Sequence, residues 1–284
     1  PSVWGSEGRM KAFLTRLTSG ILLLVIIGVT CAFGSWPLWI AVTLAGFIGL
    51  HEFYRVLEIP RWDTLWWIGM IGAGLWSFIS FVVCGGDPAW KENLWLTLVA
   101  AFMLIMLEYV ISYPKYNTQQ IMAAFFGIFY VPVMLSFIYQ TRMLEDGFQL
   151  VWLIFLSAWG CDTCAYCAGM LLGKHRLAPV LSPKKSIEGA VGGVVGSALL
   201  GCIYAYFFGA KMDEVSNPMV ACAVACAIAA VISQIGDLAA SAIKRNHNVK
   251  DYGNLIPGHG GVLDRFDSMI FTAPAIYFAL TFLR

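Results

Sequence analysis

The chain is built from runs of about 20 mostly apolar residues, each long enough to cross the hydrocarbon core of a bilayer as a helix and separated from the next by short polar or Gly/Pro breaks. About nine such runs can be marked, near 17–34, 36–54, 64–84, 94–112, 121–139, 150–172, 190–209, 219–243 and 267–283. The breaks include Gly34-Ser35-Trp36-Pro37, Gly85-Gly86-Asp87-Pro88 and Asn217-Pro218. Charged residues are 12% of the chain, against about 25% in soluble domains. No polar stretch is long enough to bury a core of its own. The expected fold is therefore all-α, a polytopic integral membrane protein with about nine transmembrane helices.

Net charge is +1, which removes bulk attraction to nucleic acid as a basis of function. The positions of the charges say more than their sum. Arg9, Lys11, Arg16, Arg55, Arg61, Lys115, Lys174, Arg176, Lys184, Lys185, Lys244, Arg245, Lys250 and Arg265 fall in one alternate set of loops, and only Lys91, Arg142, Lys211 and Arg284 in the other. This asymmetry places the N-terminus in the cytoplasm and the C-terminus outside. Residues 1–9 read as a flexible or appended segment, 10–149 as scaffold helices and 150–284 as the chemical half, all within one integral domain. Up to Gln149 the spans are nearly pure hydrocarbon, and from Val151 onward charges enter them.

Ionisable groups inside a span are costly and are functional candidates by default. Asp162 and Asp237 are such groups, with Asp264 and Asp267 at the mouth of the last span. Gln234, Asp237, Ser241, Lys244 and Arg245 share one face of a helix with 3.6 residues per turn, so a polar stripe runs into the bilayer. Asp162, Tyr166, Gly169 and Gly173 share a face of an earlier helix, where the glycines permit close helix contact. These carboxylates suit either a metal and phosphate site or salt bridges to Arg245, Lys250 and Arg265. The eight cysteines, including the Cys161, Cys164, Cys167 series, lie largely in apolar runs and read as packing residues rather than a metal framework. Between spans, Gly173-Lys174-His175-Arg176 and Ser182-Pro183-Lys184-Lys185-Ser186-Ile187-Glu188-Gly189 combine ammonium groups, hydroxyls and a turn-setting proline. That loop is either a phosphate cradle or an anchor on lipid phosphates.

The stretch from Ser241 to Asp267 carries Ser241, Lys244-Arg245, Lys250-Asp251, then Pro257-Gly258-His259-Gly260-Gly261 and Asp264-Arg265-x-Asp267. This pattern resembles the signature of the phosphatidate cytidylyltransferase family. The resemblance extends to Gln234-x-Gly236-Asp237-Leu238, to the Ser-Pro-Lys-Lys loop with Glu188-Gly189 and Gly192-Gly193, and to Asp162 with Ala165-Tyr166 and Gly169. Ser186 stands where a Thr is common in that family, and the hydroxyl is retained. His51-Glu52-Phe53-Tyr54 is similar to the family's acidic-aromatic pattern, while the remainder of 10–150 resembles it mainly in hydropathy.

The resemblance implies transfer of a cytidylyl group from CTP to phosphatidic acid, giving CDP-diacylglycerol and pyrophosphate with a divalent metal. The residues suit that chemistry independently. The attacking phosphate oxygen is already anionic, so the reaction needs no deprotonating triad but does need two polyanions neutralised and aligned. Asp237 and Asp264 are the first-choice ligands for Mg2+, with Asp162 as a third, Asp251 or Asp267 as outer or alternative ligands, and a second cation left open. Lys184, Lys185, Lys244, Arg245 and Arg265 suit the triphosphate or the lipid headgroup. Ser182, Ser186, Glu188, Ser241, Lys250 and Asp251 complete the expected binding set. Gly258, Gly260 and Gly261 let backbone N–H groups approach an anion, and His259 suits a donor to leaving pyrophosphate.

The resemblance implies a homodimer; the lysine and arginine asymmetry puts the expected site on the cytoplasmic face, and a bacterial inner membrane is the expected location. Two alternatives stand beside this: the same transfer onto an ether-lipid phosphate by a CDP-archaeol synthase, and, from a different class, an ion-coupled transporter.

Overall fold

The computed structural model describes residues 4–86, 90–258 and 260–283, with the backbone alone for 4–16. His259 therefore lies outside the described residues, and so do the side chains of Arg9, Lys11 and Arg16. The chain is almost wholly helical: α1 (Trp4–Phe33), α2 (Ser35–Val56), α3 (Thr64–Cys84), α4 (Lys91–Ile111), α5 (Thr118–Ile128), α6 (Met134–Arg142), α7 (Gly147–Leu172), α8 (Ile187–Phe208), α9 (Pro218–Asn246) and α10 (Leu263–Leu283). Eight spans among the described residues are long and apolar enough to cross a bilayer, counting α5 and α6 as the single span Thr118–Arg142. The apolar part of α1 is shorter, Leu17–Phe33. The protein is thus an integral membrane protein of the expected class.

Local chemistry sets the helix ends. Asp63 accepts the N–H of Thr64 at the start of α3, and Asn117 and Gln120 form a reciprocal capping box on α5. Pro218 opens α9, where its missing N–H costs nothing. Within the span Thr118–Arg142, Pro132 cannot donate to the helical ladder, and the segment Phe129–Val133 widens into a π turn between α5 and α6. Gly34 turns the chain between α1 and α2 at φ +63°, where the Arg142 side chain closes over it and donates from Nε to the carbonyl of Cys31 at 2.9 Å.

Packing separates into two bundles that share one helix. α7, α8 and α9 pack closely on one another, and α2 through α6 form the other group. α10 packs against α9 and α7 from one side and α6 and α2 from the other, which leaves it buried along most of its length. Tyr54 is fully buried and donates its hydroxyl to the carbonyl of Ala124 at 2.6 Å. Gly69 and Gly127 make room for its ring. Phe53, Tyr130, Tyr252 and Phe271 form an aromatic seam between the bundles, with ring centroids 5.5–6.3 Å apart.

The expected loop after α7 is instead a hairpin. Strand β1 (Arg176–Ala178) pairs antiparallel with β2 (Ser182–Ser186), with Arg176 opposite Ser186 and Ala178 opposite Ser182. Arg176 donates to the carbonyl of Pro183, and the N–H of Ile187 to the carbonyl of His175 at 2.9 Å, which leads the hairpin directly into α8.

A methyl group added at Gly127 would lie 2.7 Å from the Tyr54 ring and 3.0 Å from Leu50, whereas Gly28 has open space around it. Gly127→Ala should therefore destabilise the protein by about 1–3 kcal/mol through overpacking. Gly28→Ala should leave the melting temperature in detergent unchanged.

Candidate active site

The polar stripe on α9 meets a different neighbour at each level. Gln234 donates from Nε2 to the carbonyl of Ala190 at 3.1 Å and to Sγ of Cys161 at 3.4 Å, holding α9 against α8 and α7. One turn on, Asp237 pairs with the ammonium of Lys185 from β2. Further along, Lys244 lies 3.0 Å from Oδ1 of Asp264 and 3.7 Å from Oδ2 of Asp267, both on α10. Ser241 sits half-buried between the two levels. Asp237 also acts electrostatically on Asp162 of α7 and Asp267 of α10. The structure thus gathers Asp237, Asp264, Asp267, Lys185 and Lys244 around α9, with Asp162 exposed on α7 within electrostatic reach of Asp237.

Strand geometry divides the two lysines that the sequence presents together. Successive strand residues face opposite sides, so Lys185 turns inward to Asp237 while Lys184 is exposed. Ser182 begins β2 opposite Ala178. Ser186 caps α8, its Oγ accepting the N–H of Gly189 at 3.1 Å. Glu188 folds back over the hairpin entrance: its carboxylate accepts the N–H groups of Lys174 and His175 at 3.1–3.3 Å and pairs with Nδ1 of His175 at 2.6 Å.

The stretch from α9 to α10 is organised around Asp264, whose side chain is only 3% exposed. Its Oδ2 accepts three backbone N–H groups, those of Tyr252 at 2.8 Å, Gly261 at 3.0 Å and Gly253 at 3.4 Å. Its Oδ1 faces Lys244. The N–H of Gly261, one of those expected to face a bound anion, is thus turned onto a carboxylate of the protein itself. Gly258 and Gly260 adopt φ +76° and +88°, conformations open to glycine, and the N–H of Ile256 closes the turn onto the carbonyl of Gly260 at 2.9 Å. Tyr252 is fully buried beneath Lys244, 5.2 Å from its Nζ. Burial pushes its phenol above the ordinary value, and the neutral hydroxyl donates to the carbonyl of Ala240 at 3.2 Å.

The remaining expected residues lie around this cluster. Arg245 and Lys250 are exposed, and Arg245 donates to the carbonyl of Val249 at 3.4 Å. Asp251 is exposed beside Gly260. Arg265 is half-buried, and its Nε has no hydrogen-bond partner among the described residues.

Two residues outside the expected set grip the same loop. Glu52 of α2, 5% exposed, accepts the N–H of Val262 at 3.1 Å and of Leu263 at 2.8 Å. Arg55, one turn later, donates to the carbonyl of Tyr252 at 2.5 Å. The signal in the sequence was a carboxylate inside an otherwise apolar span, but its partners lie more than 200 positions away.

In this cluster the carboxylates outnumber the ammonium groups paired with them. Among the described residues, no three His, Cys, Asp or Glu side chains converge to hold an ion by themselves. Magnesium needs no such cage, since it is commonly held by one or two carboxylates together with water and substrate phosphates. Asp237, whose side chain is 29% exposed, is the most accessible member of its ion pairs' carboxylates. The donor set therefore fits a divalent cation that arrives with a polyphosphate.

The family model described as the cytidylyltransferase family matches residues 14–283. The phosphatidate cytidylyltransferase of Staphylococcus haemolyticus is 32% identical over 266 residues, covering 92% of this chain and 95% of that protein. That of Bacillus subtilis is 28% identical over 271 residues, covering 93% and 96%, and that of Staphylococcus aureus strain COL is 36% identical over 247 residues, covering 84% and 92%.

Glu188→Ala should speed amide hydrogen exchange at Lys174 and His175, because it removes the acceptor for both N–H groups. Exchange in the middle of α8 should stay as slow as in the parent protein.

Proposed function

The chain belongs to the cytidylyltransferase family and makes CDP-diacylglycerol from CTP and phosphatidate, and from that premise we propose that the carboxylate and ammonium cluster between α7, α9 and α10 is where the transfer occurs. A phosphate oxygen of phosphatidate attacks the α-phosphorus of CTP, a new P–O bond forms, and the bond to the β-phosphate bridge breaks as pyrophosphate leaves. The attacking oxygen carries its own charge, so the protein contributes alignment and charge neutralisation rather than a base. The observation that carries this reading is the Lys185–Asp237 pair beside Asp162 and Asp267. It is a carboxylate cluster with a partly exposed ammonium paired to its most accessible ion-paired carboxylate.

Asp237 and Asp267 would hold Mg2+ together with phosphate oxygens of the substrate. Asp264 keeps its oxygens on the loop N–H groups and on Lys244, and Asp162 stands exposed on α7 within electrostatic reach of Asp237. When bound, the metal ion screens the charge of the phosphates and steadies the departing pyrophosphate. Lys185 then exchanges its carboxylate partner for a phosphate oxygen, and Lys244 keeps Asp264 and Asp267 in place. Arg265, with its unpartnered Nε, suits a phosphate oxygen, and the exposed Lys184, Arg245 and Lys250 draw the polyanion in from water. An apolar cavity of about 270 Å³ between α1, α2, α6, α7 and α10 has Val262 and Phe266, the neighbours of Asp264 and Arg265, in its wall. It accommodates an acyl chain while the headgroup lies at the cluster.

The lysine and arginine distribution supports a site on the cytoplasmic side of a bacterial inner membrane, where CTP is present. Family resemblance supports a homodimer. A transporter would account for buried carboxylates, but not for a family match running almost the length of the chain.

Asp237→Asn should lower turnover at least about 10²-fold in protein that remains folded and inserted. Chelation of divalent cations should silence the parent enzyme, and added Mg2+ should restore it. Lys185→Ala should raise the KM for CTP or phosphatidate more than Lys184→Ala does, while Cys164→Ala changes neither. Full activity of folded Asp237→Asn, or turnover unaffected by chelation, would remove the metal from the account.

A further inference from the structure

We propose that Glu52 is a positioning residue: its carboxylate, carried on α2 of the N-terminal bundle, sets the register of the Tyr252–Leu263 loop and thereby the aim of Asp264, Arg265 and Asp267 into the reaction site. The inference rests on the functional reading above for its kinetic consequence, and on geometry for its premise.

The first N–H groups of a helix have no partner within it and are usually satisfied by a Ser, Thr, Asp or Asn just before the helix. α10 is served differently. The N–H groups of Val262 and Leu263 point at Oε1 and Oε2 of Glu52, on another helix and 210 and 211 positions away in sequence. A carboxylate there also meets the positive end of the helix dipole. The fit is close on the flanking side as well. A methyl group added to either Gly253 or Gly261 would overlap the Glu52 carboxylate.

Two acidic groups therefore hold the loop from opposite sides. Asp264 gathers the N–H groups of Tyr252, Gly253 and Gly261, and Glu52 takes those of Val262 and Leu263. Arg55, one turn along α2, fixes the other end of the loop through the carbonyl of Tyr252. Glu52 and Arg55 thus clamp the entry and the exit of the loop that carries the glycine turn. Burying an ionised group within a span costs a few kcal/mol on insertion scales. A Ser or Asn cap beside the helix would spare that cost, so a carboxyl group reaching from the opposite bundle is explained by what it orients. Asp264 and Arg265 lie in the first turn of the helix it holds, and Asp267 follows at the start of the second.

The test is a double-mutant cycle between Glu52→Ala and Gly261→Ala, read as kcat and KM for CTP and phosphatidate on monodisperse protein in detergent, with amide exchange of the loop recorded for each variant. Glu52→Ala should lower kcat about 10²-fold, the size expected from a misplacement near 1 Å, with a smaller change in KM. Glu52→Gln, which keeps an acceptor oxygen, should recover part of the loss. Gly261→Ala should lower kcat in the parent enzyme but add little in the Glu52→Ala background, where the carboxylate it strikes is gone. If Glu52→Ala does not fold, Glu52→Asp, which withdraws the carboxylate by one methylene, takes its place in the cycle.

Parental kcat in folded Glu52→Ala, or independent losses from the two substitutions, would overturn the proposal. Silence of the parent protein with CTP and phosphatidate would instead count against the functional reading. Exchange at Val262 and Leu263 would then decide the clamp, faster in Glu52→Ala if it exists and unchanged if it does not.

Discussion

A carboxylate carried into a bilayer-spanning segment is stable only beside a positive charge or a set of hydrogen-bond donors, and this requirement orders the whole C-terminal half of the protein. α9 runs its polar face past three surroundings in turn: the carbonyl of Ala190, the ammonium of Lys185 and the carboxylates of α10. Each contact fixes a different element against α9. The hairpin, which is too short to be stable alone, is held at one end by Lys185 on Asp237 and at the other by Glu188 on the N–H groups of Lys174 and His175. The contacts that satisfy these charges are the same contacts that hold the elements of the site together.

α10 transmits this order to the other bundle. It is packed from both sides, and its N-terminal end carries Asp264, Arg265 and Asp267 between the two groups of helices. Asp264 spends one oxygen on three backbone N–H groups and leaves the other toward Lys244. It is therefore at once an organiser of the glycine-containing loop and a wall of the carboxylate cluster. The more accessible Asp237 has fewer structural duties. That contrast divides acidic residues which look equivalent in sequence into one that shapes the loop and one open to an incoming cation and phosphate.

Much of this was legible in the sequence because two periodicities are strong. Runs of about 20 apolar residues mark the spans, and the 3.6-residue repeat puts Gln234, Asp237, Ser241 and Lys244 on one face. Asp237, Asp264 and Asp267 followed from that face and from a resemblance carried by the Ser241–Asp267 stretch, and Asp162 from its own helix face with Tyr166 and Gly169 and from the same family pattern. Three features were not legible. The hairpin at Arg176–Ser186 is only a few residues long and contains Pro183, so it gives no clear alternation. The π turn at Phe129–Val133 depends on how the backbone absorbs Pro132 within a buried span. The partnership of Glu52 with Val262 and Leu263 joins positions over 200 apart, and no local pattern encodes it.

The account stands most directly on the release of pyrophosphate by the purified protein in detergent with Mg2+, supplied with each of the four nucleoside triphosphates, with and without phosphatidic acid. It predicts release only when CTP (or dCTP) and phosphatidic acid are present together. Release from CTP without the lipid, release that favours another nucleotide, or silence in folded protein that turns over an ether-lipid phosphate would contradict it.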